Sequence, residues 1–207
     1  MEQVVSRLFD HLREQTGLAD LPFNPGLDGA SIDRLSKPTG LALPHEYRAL
    51  LRAFNGQPPG AALTFPPERL TFLSLEDAVE MWQRLGELES VDEPVDELAD
   101  DGRVRSVVFH RGRFPIADYE VAAATLFIDF IPGPKGRAGQ LVFNPAESTF
   151  RVVAPSVDRL IGDYVSVLDG GRARVAQRVP EHGGTFDWLT AEGKLLDFVE
   201  YTRLVRR

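Results

Sequence analysis

The stretch from Leu126 to Gln140 constrains the fold of this chain more than any other. An apolar run ends at Asp129, a turn rich in proline and glycine follows, and a second apolar run begins at Gln140. Two β-type runs joined by a short turn form a hairpin. We therefore expect two antiparallel strands here, with glycines supplying positive φ in the turn and with Lys135 and Arg137 exposed at its tip.

The glycines around Lys135 also raise the alternative of a phosphate-binding loop. Such a loop needs the spacing Gly-x-x-x-x-Gly-Lys-Ser/Thr and leads into a helix. Here the turn leads into the run from Gln140 to Phe143, which is of β type. The hairpin is therefore the better interpretation.

Further β-type runs lie on both sides of this hairpin. The pattern predicts strands at residues 70–73, 103–109, 113–117, 123–130, 139–143 and 149–153. From residue 103 onward, short turns separate successive strands, which favours an antiparallel meander.

Helical periodicity and helix-end signals mark five other segments. We predict helices over 2–15, from Ser31 to about Leu35, from Leu43-Pro44 to a stop at Asn55-Gly56, after Ser74, and from Pro155-Ser156 to Gly170-Gly171. Proline at the first helical position has a suitable φ and loses no needed donor. Ser74 and Asp77 have the spacing of a capping box, and Trp82 falls on the apolar face of the helix that follows.

The last 36 residues are a C-terminal extension, in which 172–178 reads as a strand. Ten large apolar residues between Phe186 and Val205 are too many for a free tail. We expect the extension to pack on the main domain or on another chain, with Trp188 as its anchor.

Charge is unevenly distributed along the chain. The net charge is −8, yet residues 76–101 alone hold eleven acidic residues and one base, Arg84. A nucleic-acid-binding protein needs a basic surface to pair with phosphates, so this balance argues against that class. The acidic segment suits a basic protein partner, or it is simply a solvated loop that aids solubility.

The composition also limits the compartment and the chemistry. There is no cysteine, which excludes disulfides, thiolate metal sites and thiol nucleophiles. The N-terminus lacks the apolar core of a secretory signal, and no run approaches the ~18 apolar residues of a membrane span. We expect a cytoplasmic protein that does not enter a membrane.

No residue cluster has the spacing of a catalytic or metal site. The four histidines, His11, His45, His110 and His182, form neither His-x-x-x-His nor His-Glu-x-x-His. There is also no Gly-x-Ser-x-Gly motif for a nucleophilic serine. The sequence predicts a protein that is not an enzyme and that has no metal and no cofactor.

Two groups of residues are candidates for binding a partner. One lies in the acidic segment, and the other lies on the strands and the hairpin. In the second group, Asp118 and Asp129 either make structural hydrogen bonds or form the polar rim of a binding face. The candidates are Glu87, Glu89, Asp92 and Glu93 in the acidic segment, and Asp118, Tyr119, Asp129, Lys135, Arg137 and Gln140 on the sheet and hairpin.

Four segments, in this order, resemble the SUKH superfamily, the bacterial relatives of the fungal cell-wall-assembly and glucan-synthesis regulators. They are Leu43-Pro44-His45-Glu46-Tyr47 through Asn55-Gly56, Phe114-Pro115-Ile116-Ala117-Asp118, Leu126 to Gln140, and Phe150 to Ser156 with Leu160. The resemblance covers roughly residues 30–170. It implies an α+β fold, with a single domain in which helices pack against a mostly antiparallel β-sheet.

The resemblance also implies a non-enzymatic protein-binding module. Many bacterial members are thought to be immunity proteins that neutralise toxins, so a basic toxin domain is the expected partner. A cytoplasmic regulator of cell-wall or envelope synthesis and a small-ligand-binding domain are the alternatives, since fold alone does not fix function.

Three parts of the chain depart from the family pattern. They are an N-terminal helix and loop at 1–29, an acidic insertion at about 89–102 within the domain at 30–170, and the extension at 171–207.

Overall fold

The computed structural model describes residues 1–67, 69–88, 102–107, 109–119, 124–145, 150–178 and 185–205. Helix α1 spans Glu2–Thr16 and ends at Gly17, which is left-handed at φ 70°. Its stripe of Val5, Leu8 and Leu12 is buried, as the spacing of these residues predicts.

Helix α2 spans Gly29–Ser36, and a short 3₁₀ turn over Lys37–Thr39 follows it. Its start differs from the prediction, which placed it at Ser31. Asp28 is the N-cap, and its carboxylate accepts from the backbone N–H of Ser31 at 2.7 Å. Ser31 thus lies inside the first turn as a donor, because a capping side chain accepts from the second or third helical residue.

Helix α3 spans His45–Ala53, and both of its ends differ slightly from the prediction. Pro44 is the N-cap rather than the first helical residue. At the other end the chain becomes extended at Phe54, which forms an isolated bridge with Pro25. The left-handed residue comes later, at Gly56 with φ 71°, where a Cβ atom would lie 2.3 Å from the backbone N of Ser74.

Helix α4 spans Leu75–Glu87 and begins with the predicted capping contacts. The Asp77 N–H donates to Ser74 Oγ at 3.1 Å, and the Ser74 hydroxyl donates to Asp77 Oδ2 at 2.6 Å. Trp82 is 5% exposed, and its indole N–H donates to the carbonyl of Arg111 at 2.7 Å. Trp82 therefore belongs to the core, as predicted.

Five strands form one antiparallel sheet in the order of the sequence, which confirms the meander. The strands are β1 Thr71–Phe72, β2 Arg113–Tyr119, β3 Ala124–Asp129, β4 Gln140–Pro145 and β5 Arg151–Ala154. Every neighbouring pair is antiparallel.

The predicted strand at 103–109 is wrong in the residues that the structure describes there, 103–107 and 109, which form a turn, bends and irregular backbone. The carbonyls of this segment have other partners, since Arg105 and Val107 accept from the Arg113 side chain and Arg103 accepts from Gln140. The strand that pairs with β2 at this edge of the sheet is β1 instead.

The sheet has two covered faces. Leu126 and Ile128 of β3 join the large core formed with the helices, whereas Phe127 between them packs on the opposite face with Val104, Val142 and Phe150. Alternate residues of a strand point to opposite faces. The sheet is therefore buried on both sides, and the second face is covered partly by the segment at 102–107.

The C-terminal extension packs on this domain. It contains the hairpin of β6 Ala173–Gln177 and β7 Phe186–Thr190, and helix α6 Phe198–Val205; helix α5, Val157–Asp169, precedes it. The Trp188 indole donates to the Thr64 carbonyl at 2.8 Å, and the Tyr201 hydroxyl donates to Asp163 at 3.0 Å. The predicted anchoring by Trp188 is confirmed. Leu195, by contrast, is 53% exposed.

Helix α1, at the start of the domain, contacts the end of α5 and strand β6 of the extension. Its Arg7 and His11 both contact the carboxylate of Asp169, at the end of α5, at 2.9 and 2.7 Å. Gln15 Oε1 accepts from the backbone N–H of Val175 in β6 at 2.6 Å. The fold is thus the predicted α+β domain, with an antiparallel sheet and packed helices.

Candidate functional site

The hairpin between β3 and β4 is present as predicted, but its glycines serve two purposes. Gly139 is left-handed at φ 88° and has open space around it. Gly133 and Gly136 do not have positive φ among the described glycines. A Cβ atom there would lie 2.4 Å from the Gly102 carbonyl oxygen and 2.0 Å from that of Arg103, respectively. These two positions require glycine because the segment at 102–104 passes directly against them.

Beneath the hairpin lies a buried polar row across three strands. Arg113, Asp129 and Gln140 are neighbours in register, and each is at most 2% exposed. Gln140 donates to Asp129 at 2.9 Å, and the Arg113 guanidinium donates to the Arg105 carbonyl at 2.7 Å. The row therefore fastens the 102–107 segment onto the sheet.

Burial governs the charges in this row. It lowers the pKa of the Arg113 guanidinium to about 10, although the nearby Asp129 carboxylate opposes the shift. It also raises the pKa of Asp129, against the effect of the Gln140 hydrogen bond and of Arg113. Desolvation disfavours the charged form of each group, so burying Arg113 and Asp129 costs free energy. Both side chains are buried and are not accessible from the surface.

Lys135 and Arg137 are exposed on the hairpin, as predicted. With Arg103 and Arg159 they border a cleft of about 570 Å³ next to β5 and α6. The six sheet and hairpin candidates therefore divide: Asp129 and Gln140 lie inside, and Lys135 and Arg137 lie above them on the surface.

Asp118 and Tyr119 lie at the far end of the same strands. Asp118 is opposite Thr125, whereas Asp129 is four residues further along β3, which corresponds to about 13 Å. The Thr125 hydroxyl donates to Asp118 Oδ1 at 2.9 Å, and Asn144 continues this second polar row on β4. The two aspartates therefore belong to separate places and do not form one rim.

A two-lobed cavity, which we call the edge cleft, lies beside Tyr119. Its first lobe has a volume of about 560 Å³ and lies between α4, β1, the segment at 57–64 and β7. Its second lobe has a volume of about 470 Å³ and lies between the ends of β3 and β4 and the segment at 195–197. The lobes share Thr64, Arg69, Tyr119, Phe186 and Asp187.

The first lobe is polar along its rim. Asp77, Glu80 and Arg84 reach it from the exposed side of α4, and Asp118 reaches it from β2. On the opposite wall Arg178 donates two hydrogen bonds to the Asp187 carboxylate, at 2.9 and 3.0 Å. Because Arg178 and Asp187 neutralise each other, the other charged side chains that line the lobe are those of α4, Asp118 and Arg69.

The second lobe is mainly apolar. Trp188 and Leu196 are buried behind it, and Leu195 projects beside them. The remaining apolar wall comes from Pro67, Ala124, Phe143 and Pro145. Such a surface is suited to an apolar side chain, because removing apolar area from water is favourable.

Arg69 lies where the two lobes meet. Its backbone is left-handed at φ 60°, and it is the one non-glycine residue with positive φ in the described part of the chain. It is exposed, and within the described residues its guanidinium makes no hydrogen bond or ion pair. A charged group is thus held at the junction without a hydrogen-bond or ion-pair partner among the described residues.

The acidic candidates are only partly described. Glu87 is exposed in the last turn of α4, and Glu89, Asp92 and Glu93 lie outside the described residues. The exposed side of α4 also carries Glu76, Asp77 and Glu80. Asp77 and Glu80 of α4 and the Asp118–Tyr119 end of the sheet border the same cleft, whereas Glu87, the one described residue among the four acidic candidates, does not line it.

Sequence reasoning missed most of this cleft. Arg69 has no motif around it, and its left-handed conformation is not signalled by residue type. Leu195 and Phe186 were recognised only as members of an apolar extension. Their place beside Tyr119 depends on how the extension folds back, which periodicity within the extension does not specify.

The described residues contain no cluster of His, Asp and Glu side chains that could hold a metal ion. In the same ranges, none of the helices combines the length and the apolar character needed to cross a bilayer. His11 contacts Asp169, and His110 Nδ1 accepts from the Gly112 N–H at 2.8 Å, so both histidines have structural partners.

Comparison with known proteins identifies a family for the chain. The model of the SMI1/KNR4 family (SUKH-1) matches residues 26–163, from the loop before α2 to the middle of α5. No curated protein matches the chain. The match confirms the resemblance read from the sequence and leaves α1, β6, β7 and α6 outside the shared region.

Proposed function

The chain belongs to the SMI1/KNR4 family (SUKH-1), and from that premise we propose that it is a non-enzymatic protein-binding module. Its proposed role is that of an immunity protein that neutralises a bacterial toxin in the cytoplasm. One observation carries the proposal: the acidic side of α4 and the Asp118–Tyr119 end of the sheet line a single cleft.

The composition of this cleft supports a protein partner. Protein interfaces combine an apolar centre, in which tyrosine and other aromatics are enriched, with a charged and solvated rim. Tyr119 and Phe186 lie at the junction of the two lobes, and Glu80 and Arg84 lie on the rim. The cleft has both parts of such an interface.

The charge of the chain favours a basic partner. The net charge is −8, and the exposed side of α4 presents Glu76, Asp77, Glu80 and Glu87 beside a single base, Arg84. Opposite charge steers encounter and raises the association rate. A toxin domain that binds nucleic acid is basic for its own reasons, so it fits this surface.

The function can be tested by rescue of growth. Cells that express the toxic C-terminal domain of a secreted protein encoded beside this chain should survive when the chain is co-expressed, and the two proteins should co-purify at a fixed ratio. The toxin domain should remain chemically unchanged in surviving cells, because the chain is proposed to bind it and not to degrade or modify it. Toxin recovered intact but unbound, or cell death despite co-expression, would contradict the role.

The acidic surface has a kinetic test. Neutralising Glu87, Glu89, Asp92 and Glu93 should slow association with the toxin domain and weaken its salt dependence, while dissociation changes less. The wild-type rate should itself fall with salt, because the Debye length shrinks from ~10 Å at 0.1 M to ~3 Å at 1 M. Neutralising Glu2, Asp10, Glu14 and Asp20, four exposed acidic residues in and just after α1, is the matched control. Equal effects from both sets would assign the steering to net charge alone.

A small-ligand-binding domain is the second candidate, because each lobe falls within the ~300–1,000 Å³ range of ligand sites. Native mass spectrometry distinguishes it from the first. A small molecule that co-purifies with the chain at one equivalent, in the absence of a protein partner, would favour this alternative.

A further inference from the structure

We propose that the edge cleft binds an extended segment of the partner protein, in which a large apolar side chain enters the second lobe and a neighbouring Asp or Glu pairs with Arg69. This inference rests on the proposed function and adds the chemistry of the segment that is recognised.

The second lobe supplies the apolar half of this recognition. Leu195 is 53% exposed, one of two large hydrophobic side chains so exposed in the described residues. It lies beside Trp188, whose indole N–H is fixed by the Thr64 carbonyl. Because the indole is already bonded, the wall is rigid before a partner arrives, and a rigid aromatic wall loses little entropy on binding.

Arg69 supplies the charged half. A left-handed backbone is unfavourable for arginine and neutral for glycine, so folding by itself favours glycine at this position. Within the described part of the chain, no hydrogen bond or ion pair of the exposed guanidinium offsets that strain. The planar guanidinium presents two parallel donors that match a carboxylate. We therefore assign Arg69 to a carboxylate of the partner.

The shape of the cleft favours an extended segment recognised through its side chains. The lobes meet at Tyr119 and Phe186, so one segment passes both in sequence. Addition of a strand to the sheet is not available at this edge, because β1 has two residues and Thr71 already forms a bridge to Phe65. Specificity therefore comes from the apolar side chain and the carboxylate.

The probe for this inference is a displayed library of random ten-residue peptides, selected on the full chain. The selected peptides should share a large apolar residue within a few positions of Asp or Glu. For the best peptide, Arg69→Gly and Leu195→Asp should each weaken binding at least about tenfold, as expected for loss of a charge-assisted bond or an apolar contact. Arg69→Gly should melt at or above the wild-type temperature, which separates binding from folding.

Arg52→Gln is the control, since Arg52 is an exposed arginine of α3 that lines neither lobe of the edge cleft. It should bind the selected peptide as wild type does. Peptides without an acidic residue, equal binding by Arg69→Gly, or a selection that enriches nothing would each overturn the inference. If the toxin domain binds but the Arg69 and Leu195 variants bind it equally well, the edge cleft is not the contact and the immunity role stands. If the peptides bind as expected but no toxin is neutralised, the recognition chemistry stands and the role falls.

Discussion

Tyr47 buries a hydroxyl group for which the described part of the chain offers no hydrogen-bond partner. The ring lies near those of Phe72 and Phe114, at 6.4 and 6.0 Å between centroids, and burial raises the pKa of its phenol. A buried polar group without a partner costs free energy. Tyr47→Phe should therefore raise the free energy of unfolding by about 1 kcal/mol, measured by denaturation with urea.

Tyr201 is the matched control for that substitution. It is equally buried, but its hydroxyl donates to Asp163 at 3.0 Å. Tyr201→Phe should lower the free energy of unfolding by about 1–2 kcal/mol, because it removes a bond to a charged acceptor. If Tyr47→Phe lowered the free energy of unfolding as Tyr201→Phe does, the Tyr47 hydroxyl would have a hydrogen-bond partner in solution.

Single residues were also where sequence reasoning reached its limit. Asp129 and Gln140 were placed correctly at the ends of strands, but their burial was not foreseen. It depends on the 102–107 segment folding over them, and that segment has the composition of a strand. The side chains of Arg113 and Gln140 donate hydrogen bonds to carbonyls of this segment and so determine its conformation. Such tertiary contacts leave no local signal in the sequence.

At the scale of elements, the hairpin of β3 and β4 and the 102–104 segment form one unit held by close backbone approach. Gly136→Ala should lower the free energy of unfolding by about 2 kcal/mol, because the new Cβ would lie 2.0 Å from the Arg103 carbonyl oxygen. The loss is measured by thermal and urea denaturation.

Gly139→Asn tests the same turn at a position with open space. Gly139 has φ 88°, a conformation that asparagine tolerates better than most residues, so the change should cost no more than about 1 kcal/mol. A Gly136→Ala protein as stable as wild type would mean that the 102–104 segment moves freely away from the hairpin.

Elements whose ends depend on local chemistry were predictable. Ser74 and Asp77 determine the start of α4 through contacts three residues apart, and the proline–glycine turn defines the β3–β4 hairpin. Helix α3 shows the limit, because its end at Ala53 is determined by the pairing of Phe54 with Pro25. That bridge joins residues far apart in sequence, where local signals carry no information.

At the scale of the whole molecule, the extension is part of the core. Trp188, Phe198 and Tyr201 are at most 3% exposed, and their rings pack in tilted pairs against Phe65, Phe143 and Tyr164 of the main domain. Deleting residues 172–207 should expose those partners and lower both the melting temperature and the solubility, because the apolar surface returns to water. Circular dichroism and light scattering measure the two effects.

Leu195→Ser is the control within the same segment. Leu195 is largely exposed, and surface substitutions usually change stability by no more than about 0.5 kcal/mol. Its melting temperature should stay close to that of the wild type. A shortened chain that melts like the full chain would show instead that the extension is a separate peptide.

The hydrogen bond from Val175 N–H to Gln15 joins residues 160 positions apart. During synthesis, α1 emerges before its partners α5 and β6. At about 5–20 residues per second, roughly 8 to 32 s separate the two. For that interval the apolar stripe of α1 exists on the ribosome without the surfaces that later cover it. A nascent chain in this state is a substrate for chaperones, so the rate of translation bears on how much of the protein reaches its folded form.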